Sequence, residues 1–196
     1  MQKSKFLILG LLLILIIIGI YFGSNFKMTG HLIKSPTSPT KVLLQTSMGD
    51  ITIELYDNSP ITTTNFGNLV KQGVYDNTIF HRVIDGFMIQ GGDPTGTGLG
   101  DPSILPIKDE YIKGNSNLRG TIAMANAGPN TGSSQFFINL VDNTYLDWDK
   151  QPTSSKHPVF GKVVKGIDVV DKIGKTPTDA NNRPLTEVKI IKAEII

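Results

Sequence analysis

The sequence predicts a β-dominant domain, all-β apart from two short helices, over residues 41–196, with an apolar segment and a polar linker ahead of it. Three features predict this. From Lys41 onward apolar residues recur mostly at every second position, Gly, Pro, Asn and Asp punctuate the pattern, and only two stretches show helical spacing. No internal repeat is visible, and 196 residues suit one domain of ordinary size plus an appendage.

Phe6 to Phe22, FLILGLLLILIIIGIYF, contains no charge or amide and is close to the shortest length that crosses a hydrocarbon core of about 30 Å. A helix of a small domain has no need to be apolar on every face. Lys3, Lys5 and the amino terminus form a positive flank that keeps this end in the cytoplasm and sends the remainder outward. The first alanine is Ala123, so no A-x-A cleavage site follows the apolar run. The expectation is a transmembrane helix within residues 1–22, retained as a signal anchor, touching the membrane through residues 6–22. Cleavage near Gly23 and Ser24 would instead give a secreted protein. Residues 23–40, ending in SPTSPT, read as a flexible linker that buries no core. The expected location is the cell membrane, single-pass, with the domain extracytoplasmic.

Within residues 41–196, Val42, Leu44 and Thr46 and then Ile51, Ile53 and Leu55 flank the turn SMGD, a hairpin signal. A short helix is expected over Asn65 to Gln72, with Phe66, Leu69 and Val70 on one face and Gly73 as its stop. Strands are expected over 78–84, 87–90, 120–125, 135–140, 159–163 and 187–195, and a second helix over 166–173. The Gly-rich stretch 91–115 has neither Gly-Lys-Ser/Thr opening a helix nor G-x-G-x-x-G between strand and helix, and reads as an irregular surface loop.

Composition removes several functions. Four of the 19 Lys and Arg lie in residues 1–40 and none of the 17 acids does, so the remainder is mildly acidic and lacks the positive face that a nucleic-acid partner requires. With no Cys, disulfides, thiolate zinc clusters and thiol nucleophiles are excluded. His31, His81 and His157 are too scattered to suggest a metal cluster, and no G-x-S-x-G marks a serine hydrolase.

FHRVIDGFMIQGGD, starting at Phe80, and MANAGPNTGSSQFFI, starting at Met124, carry the specific signal. Together they resemble the two signature blocks of the cyclophilin family of peptidyl-prolyl cis-trans isomerases, and the likeness extends over residues 41–196. The resemblance implies a closed eight-stranded antiparallel barrel capped by two helices, with the proline site in a groove on its outside. It implies proline-containing polypeptide clients; the expectation is that no metal or cofactor is needed, and that the protein is a monomer.

The chemistry is consistent with that implication. Rotation about an X-Pro bond breaks amide resonance, costs about 18–20 kcal/mol, and cleaves nothing. A catalyst must hold the pyrrolidine in an apolar slot and donate to the amide nitrogen as it becomes pyramidal. The resemblance assigns the donor to Arg82, whose guanidinium stays charged and presents several N–H groups in a rigid fork. It assigns the slot to Phe87, Met88, Phe137 and Leu146, substrate-backbone contacts to Gln90, Asn126 and Gln135, space for the residue before proline to Ala125, and the end of the site to His157. Read without the family, Arg82 is an ordinary solvated or paired residue, the apolar four are core, and the amides are turn or ladder partners. A module that binds Pro segments with incidental turnover is the alternative function.

Two departures stand out. Tyr145 occupies the place where many members carry a tryptophan whose indole contacts the drug cyclosporin. Residues 147–156, DWDKQPTSSK, look like an insertion and hold Trp148, a second candidate for the rim.

Overall fold

The computed structural model describes residues 39–150 and 156–196. Its strands are β1 (Lys41–Thr46), β2 (Gly49–Leu55), β3 (Thr78–Ile79), β4 (Arg82–Ile84), β5 (Met88–Gly91), β6 (Thr121–Met124), β7 (Phe136–Asn139), β8 (Val159–Lys165) and β9 (Lys189–Ile195). The helices are α1 (Pro60–Lys71) and α2 (Ile167–Gly174), with a 3-10 turn at Thr144–Leu146. The first hairpin is closed by Thr46, whose hydroxyl donates to the Gly49 carbonyl at 2.6 Å and accepts the Met48 N–H at 3.1 Å. Val42, Leu44, Ile51 and Ile53 are thereby fully buried on one face of the pair, the outcome of strict alternation on a half-buried sheet.

Helix α1 starts five residues before the periodicity suggests. Pro60 pre-sets the first helical φ, and the Glu110 carboxylate accepts both the N–H and the hydroxyl of Thr62, at 2.6 and 2.9 Å. The cap thus comes from a distant loop, which local sequence does not disclose. Phe66 on this helix lies 5.0 Å from Tyr75, 5.2 Å from Phe160 and 5.6 Å from Phe136, centroid to centroid. These rings form the centre of a core that also takes Val170 and Ile173 from α2.

The expected closed barrel of eight strands is corrected to an open sheet of nine, in the order β3-β9-β1-β2-β8-β6-β7-β5-β4. The single strand expected over 78–84 is two strands that form the opposite edges of this sheet. Phe80, between β3 and β4, donates to the Val188 carbonyl at 2.9 Å, and Val83 of β4 donates to the Asn182 carbonyl at 2.8 Å, so the chain on both sides of His81 bonds to the 182–188 segment. Phe80 and His81 connect the two edge strands along the chain, an isolated bridge joins Ile79 to Asp93, and no ladder forms between β3 and β4. Among the described residues no helix is long and apolar enough to cross a membrane. The apolar segment 6–22 and all but the last two residues of the linker lie outside them.

Candidate active site

The site is a matter of strand register. Arg82 pairs with Gln90 across β4 and β5, Gln90 with Phe137 across β5 and β7, Phe137 with Ala123 across β7 and β6, and Ala123 with Val159 across β6 and β8. Residues opposite one another share a face, so these five side chains form one row over five strands. The adjacent row, Val83, Ile89, Ile138 and Ile122, is almost completely buried in the main core. The first row therefore lies on the other face. There Met88, Ala123, Phe137, Leu146 and Val159 make a second apolar cluster, flanked by Tyr56, Ile84, Phe87 and Ala125.

Above it opens a groove of about 350 Å³ lined by Arg82, Phe87, Met88, Gln90, Ala125, Asn126, Phe137, Leu146 and His157. Every expected site residue except Gln135 and the two rim candidates lines this groove. Gln135 stands one step behind. Arg82 Nη1 donates to Gln90 Oε1 at 3.2 Å, Gln90 Nε2 to Gln135 Oε1 at 3.0 Å, and Gln135 Nε2 to the Gly98 carbonyl at 3.0 Å. This relay holds the guanidinium, whose carbon lies 6.0 Å from the Phe87 ring centroid, at the edge of the apolar floor. Asn126 is also engaged, donating to the Lys156 carbonyl at 2.8 Å. The two rim candidates separate: Tyr145 stacks on Phe87 at 6.3 Å, whereas Trp148 stacks on Tyr111 and does not stand in for it.

Burial lowers the His157 pKa, and the imidazole is therefore neutral near pH 7. Its Nδ1 lies 3.0 Å from the Met124 carbonyl, which can only accept, so Nδ1 carries the proton. The ring meets Phe137 edge-on at 5.2 Å. His81, in the link between β3 and β4, is buried at 7 % exposure, with neither ring nitrogen in normal hydrogen-bond geometry. Its pKa too is lowered by burial.

Two supports escape sequence reasoning. Behind the slot lies a buried polar network: Asp147 accepts from Ser116 and from both N–H groups of Asn117, while Asn143 donates to the Phe87 carbonyl and to Asn139. It ties the Phe87 wall to the Leu146 wall. The Gly-rich loop is the other. Asp93 accepts from Thr95, Gly98 and Gly100, and although burial would raise its pKa, these hydrogen bonds hold it low. The folded loop places Gly98, Leu99 and Gly100 opposite Ala127, Thr131 and Ser133, and a hollow of about 180 Å³ opens beside the groove. The Asp93–Gly100 spacing is the one signal in the sequence, and it is intelligible only after the turn is seen.

The family model described as cyclophilin type peptidyl-prolyl cis-trans isomerase/CLD matches residues 41–195. The chain belongs to the cyclophilin family of peptidyl-prolyl cis-trans isomerases. This cyclophilin is 50 % identical over 161 residues to peptidyl-prolyl cis-trans isomerase-like 1 of Neurospora crassa, covering 80 % of the present chain and 94 % of that one. The Bos taurus protein of the same name is 46 % identical over 162 residues, covering 79 % and 92 %. A crystal structure of a Cryptosporidium parvum cyclophilin in the presence of the dipeptide Ala-Pro matches with a TM-score of 0.72 and 35 % identity, covering 80 % of this chain and 98 % of that one.

The two buried imidazoles give this cyclophilin a defined acid response. Both take up protons more readily in the unfolded chain, where imidazole titrates near 6.5, so their neutral forms favour the fold above that pH. Stability is lost as pH falls below about 6.5 towards the lower folded values. Thermal melts should show a falling Tm from pH 7 to pH 5, and His81→Leu should flatten the slope; a Tm independent of pH over that range would contradict the account.

Proposed function

We propose that this cyclophilin accelerates X-Pro rotation in proteins folding at the outer face of a membrane, with Arg82 as the catalytic residue. The observation that carries the reading is the guanidinium held by Gln90 beside an apolar floor. The pyrrolidine sits over Phe137, Met88 and Leu146, and Ala125 leaves space for the residue before proline. As the amide twists, its nitrogen loses conjugation and becomes an acceptor. Arg82 stabilises that state and not the planar ones, and differential stabilisation of this kind raises the rate. Only one Arg82 donor is used within the protein among the described residues, which leaves others for the substrate.

The apolar run 6–22, its flanking Lys3 and Lys5 and the acid-free linker support the outward, membrane-held placement. Protease accessibility in intact cells, combined with the mass of the mature chain, tests it. Shaving of the domain from outside with residues 1–22 retained is expected, and a protected domain would overturn it. For the activity, the full-length chain should accelerate isomerisation of a short X-Pro peptide, and no acceleration would sink the enzyme reading.

Tyr145 is 57 % exposed at the rim and presents a phenol in place of the indole donor. Loss of one good hydrogen bond corresponds to about tenfold in affinity, so cyclosporin should inhibit at roughly tenfold or higher concentration than in tryptophan-bearing members. Tyr145→Trp should restore sensitivity, and inhibition of the parent chain at ordinary low doses would refute the expectation.

A further inference from the structure

Trp148 is the single tryptophan of the chain, and the groove as described does not use it. It lies two residues beyond slot-lining Leu146, in a segment whose far end is slot-lining His157, and the two ends are joined by the His157 N–H donating to the Leu146 carbonyl at 3.2 Å. One indole face packs on Tyr111, with centroids 6.3 Å apart and planes at 25°. Tyr111 is itself fixed: its hydroxyl donates to Asp109 at 2.8 Å, and Asp109 and Asn130 exchange two further hydrogen bonds of 2.7 and 2.9 Å. Asn130 belongs to the loop that carries Asn126, and the Asp109 charge is felt at His157. The ring pair is thus braced against the His157 end of the groove. Trp148 nevertheless remains 37 % exposed.

An indole held by stacking on one side and still 37 % exposed loses little entropy on contact and stacks well on another ring. The surrounding segments balance Lys108, Lys150 and Lys156 against Asp109, Glu110 and Asp149, so no net charge favours an ionic occupant over a neutral ring. We propose that Tyr111 and Trp148 form an accessory subsite that receives an aromatic side chain of the substrate flanking the proline, and so select clients with a ring near the isomerising bond. The inference rests on the isomerase reading above and adds a sequence preference to it.

The test uses the full-length chain and X-Pro peptides that are alanine elsewhere except for one Phe, moved through the four positions on each side of proline. Isomerisation is followed by NMR exchange, so that no protease reads the same ring. At one position the Phe peptide should exceed the all-alanine peptide in kcat/KM by roughly threefold to tenfold, through KM rather than kcat. The same peptide alone should shift the emission of Trp148. Trp148→Ala should bring that ratio close to one, and Trp148→Tyr should retain most of it. Turnover with no preferred Phe position, or a preference without an emission change, overturns this inference and leaves the isomerase reading intact. No turnover of any peptide overturns both.

Discussion

Arg82→Ala should lower kcat/KM for an X-Pro peptide by about 10²- to 10³-fold, roughly 3–4 kcal/mol of transition-state stabilisation. The magnitude follows from a charge-assisted donor aimed at a group that accepts only when twisted. Gln90 opposes Arg82 across the β4–β5 pair and fixes its position, while the floor is built from Met88 on β5, Phe137 on β7 and Leu146, none of them on the strand that carries Arg82. Removing the guanidinium therefore removes the donor and leaves the floor. Peptide binding, followed by NMR titration, should change by no more than a few-fold. Arg82→Lys keeps the charge but loses the planar fork, and should recover only a minor part of the rate. This variant also separates the two functions open to the fold. A binding module with incidental turnover predicts that Arg82→Ala disturbs binding and turnover alike, or neither. A loss of rate below threefold would remove Arg82 from the chemistry.

Gly92→Ala should destabilise the domain by about 3 kcal/mol or more and reduce activity in the fraction that folds. Gly92 has φ +82, where an L side chain is strained by about 1–2 kcal/mol. A Cβ there would lie 2.7 Å from the Ser134 carbonyl oxygen and 2.8 Å from the Phe136 ring. Neither neighbour can yield, since Ser134 leads directly into Gln135 and Phe136 is fully buried in the aromatic core. Relief must come from separating β5 from β7, the strands that carry Gln90 and Phe137. Chemical denaturation should show a lower midpoint with an unchanged m-value. A midpoint equal to that of the parent chain would mean that the loop after β5 relaxes freely.

Legibility in the sequence follows the range of the forces involved. Alternation in β1 and β2 reports burial of one face, which is local, and it is read correctly from Val42 to Leu55. The start of α1 is misread because its cap is Glu110, and the break between β3 and β4 because the competing acceptors, Val188 and Asn182, are about a hundred residues further on. The Gly-rich stretch reads as plain surface because Asp93 organises it through a carboxylate that pattern alone cannot distinguish from any other.

The signature blocks contain the residues of the proposed chemistry: the resemblance assigns Arg82 as donor, Phe87, Met88 and Phe137 to the slot and Gln90 as amide partner. Pairing order is another matter. A shift of one residue between β5 and β7 would put Ile138 where Phe137 stands and turn the apolar floor into core, with the same sequence and the same strands. Whether the curled sheet closes, which face Arg82 takes, and that Trp148 rests on Tyr111 rather than over Phe87 depend on contacts between residues far apart in the chain. Periodicity describes each strand's two faces; only packing of the whole sheet chooses which of them becomes the groove.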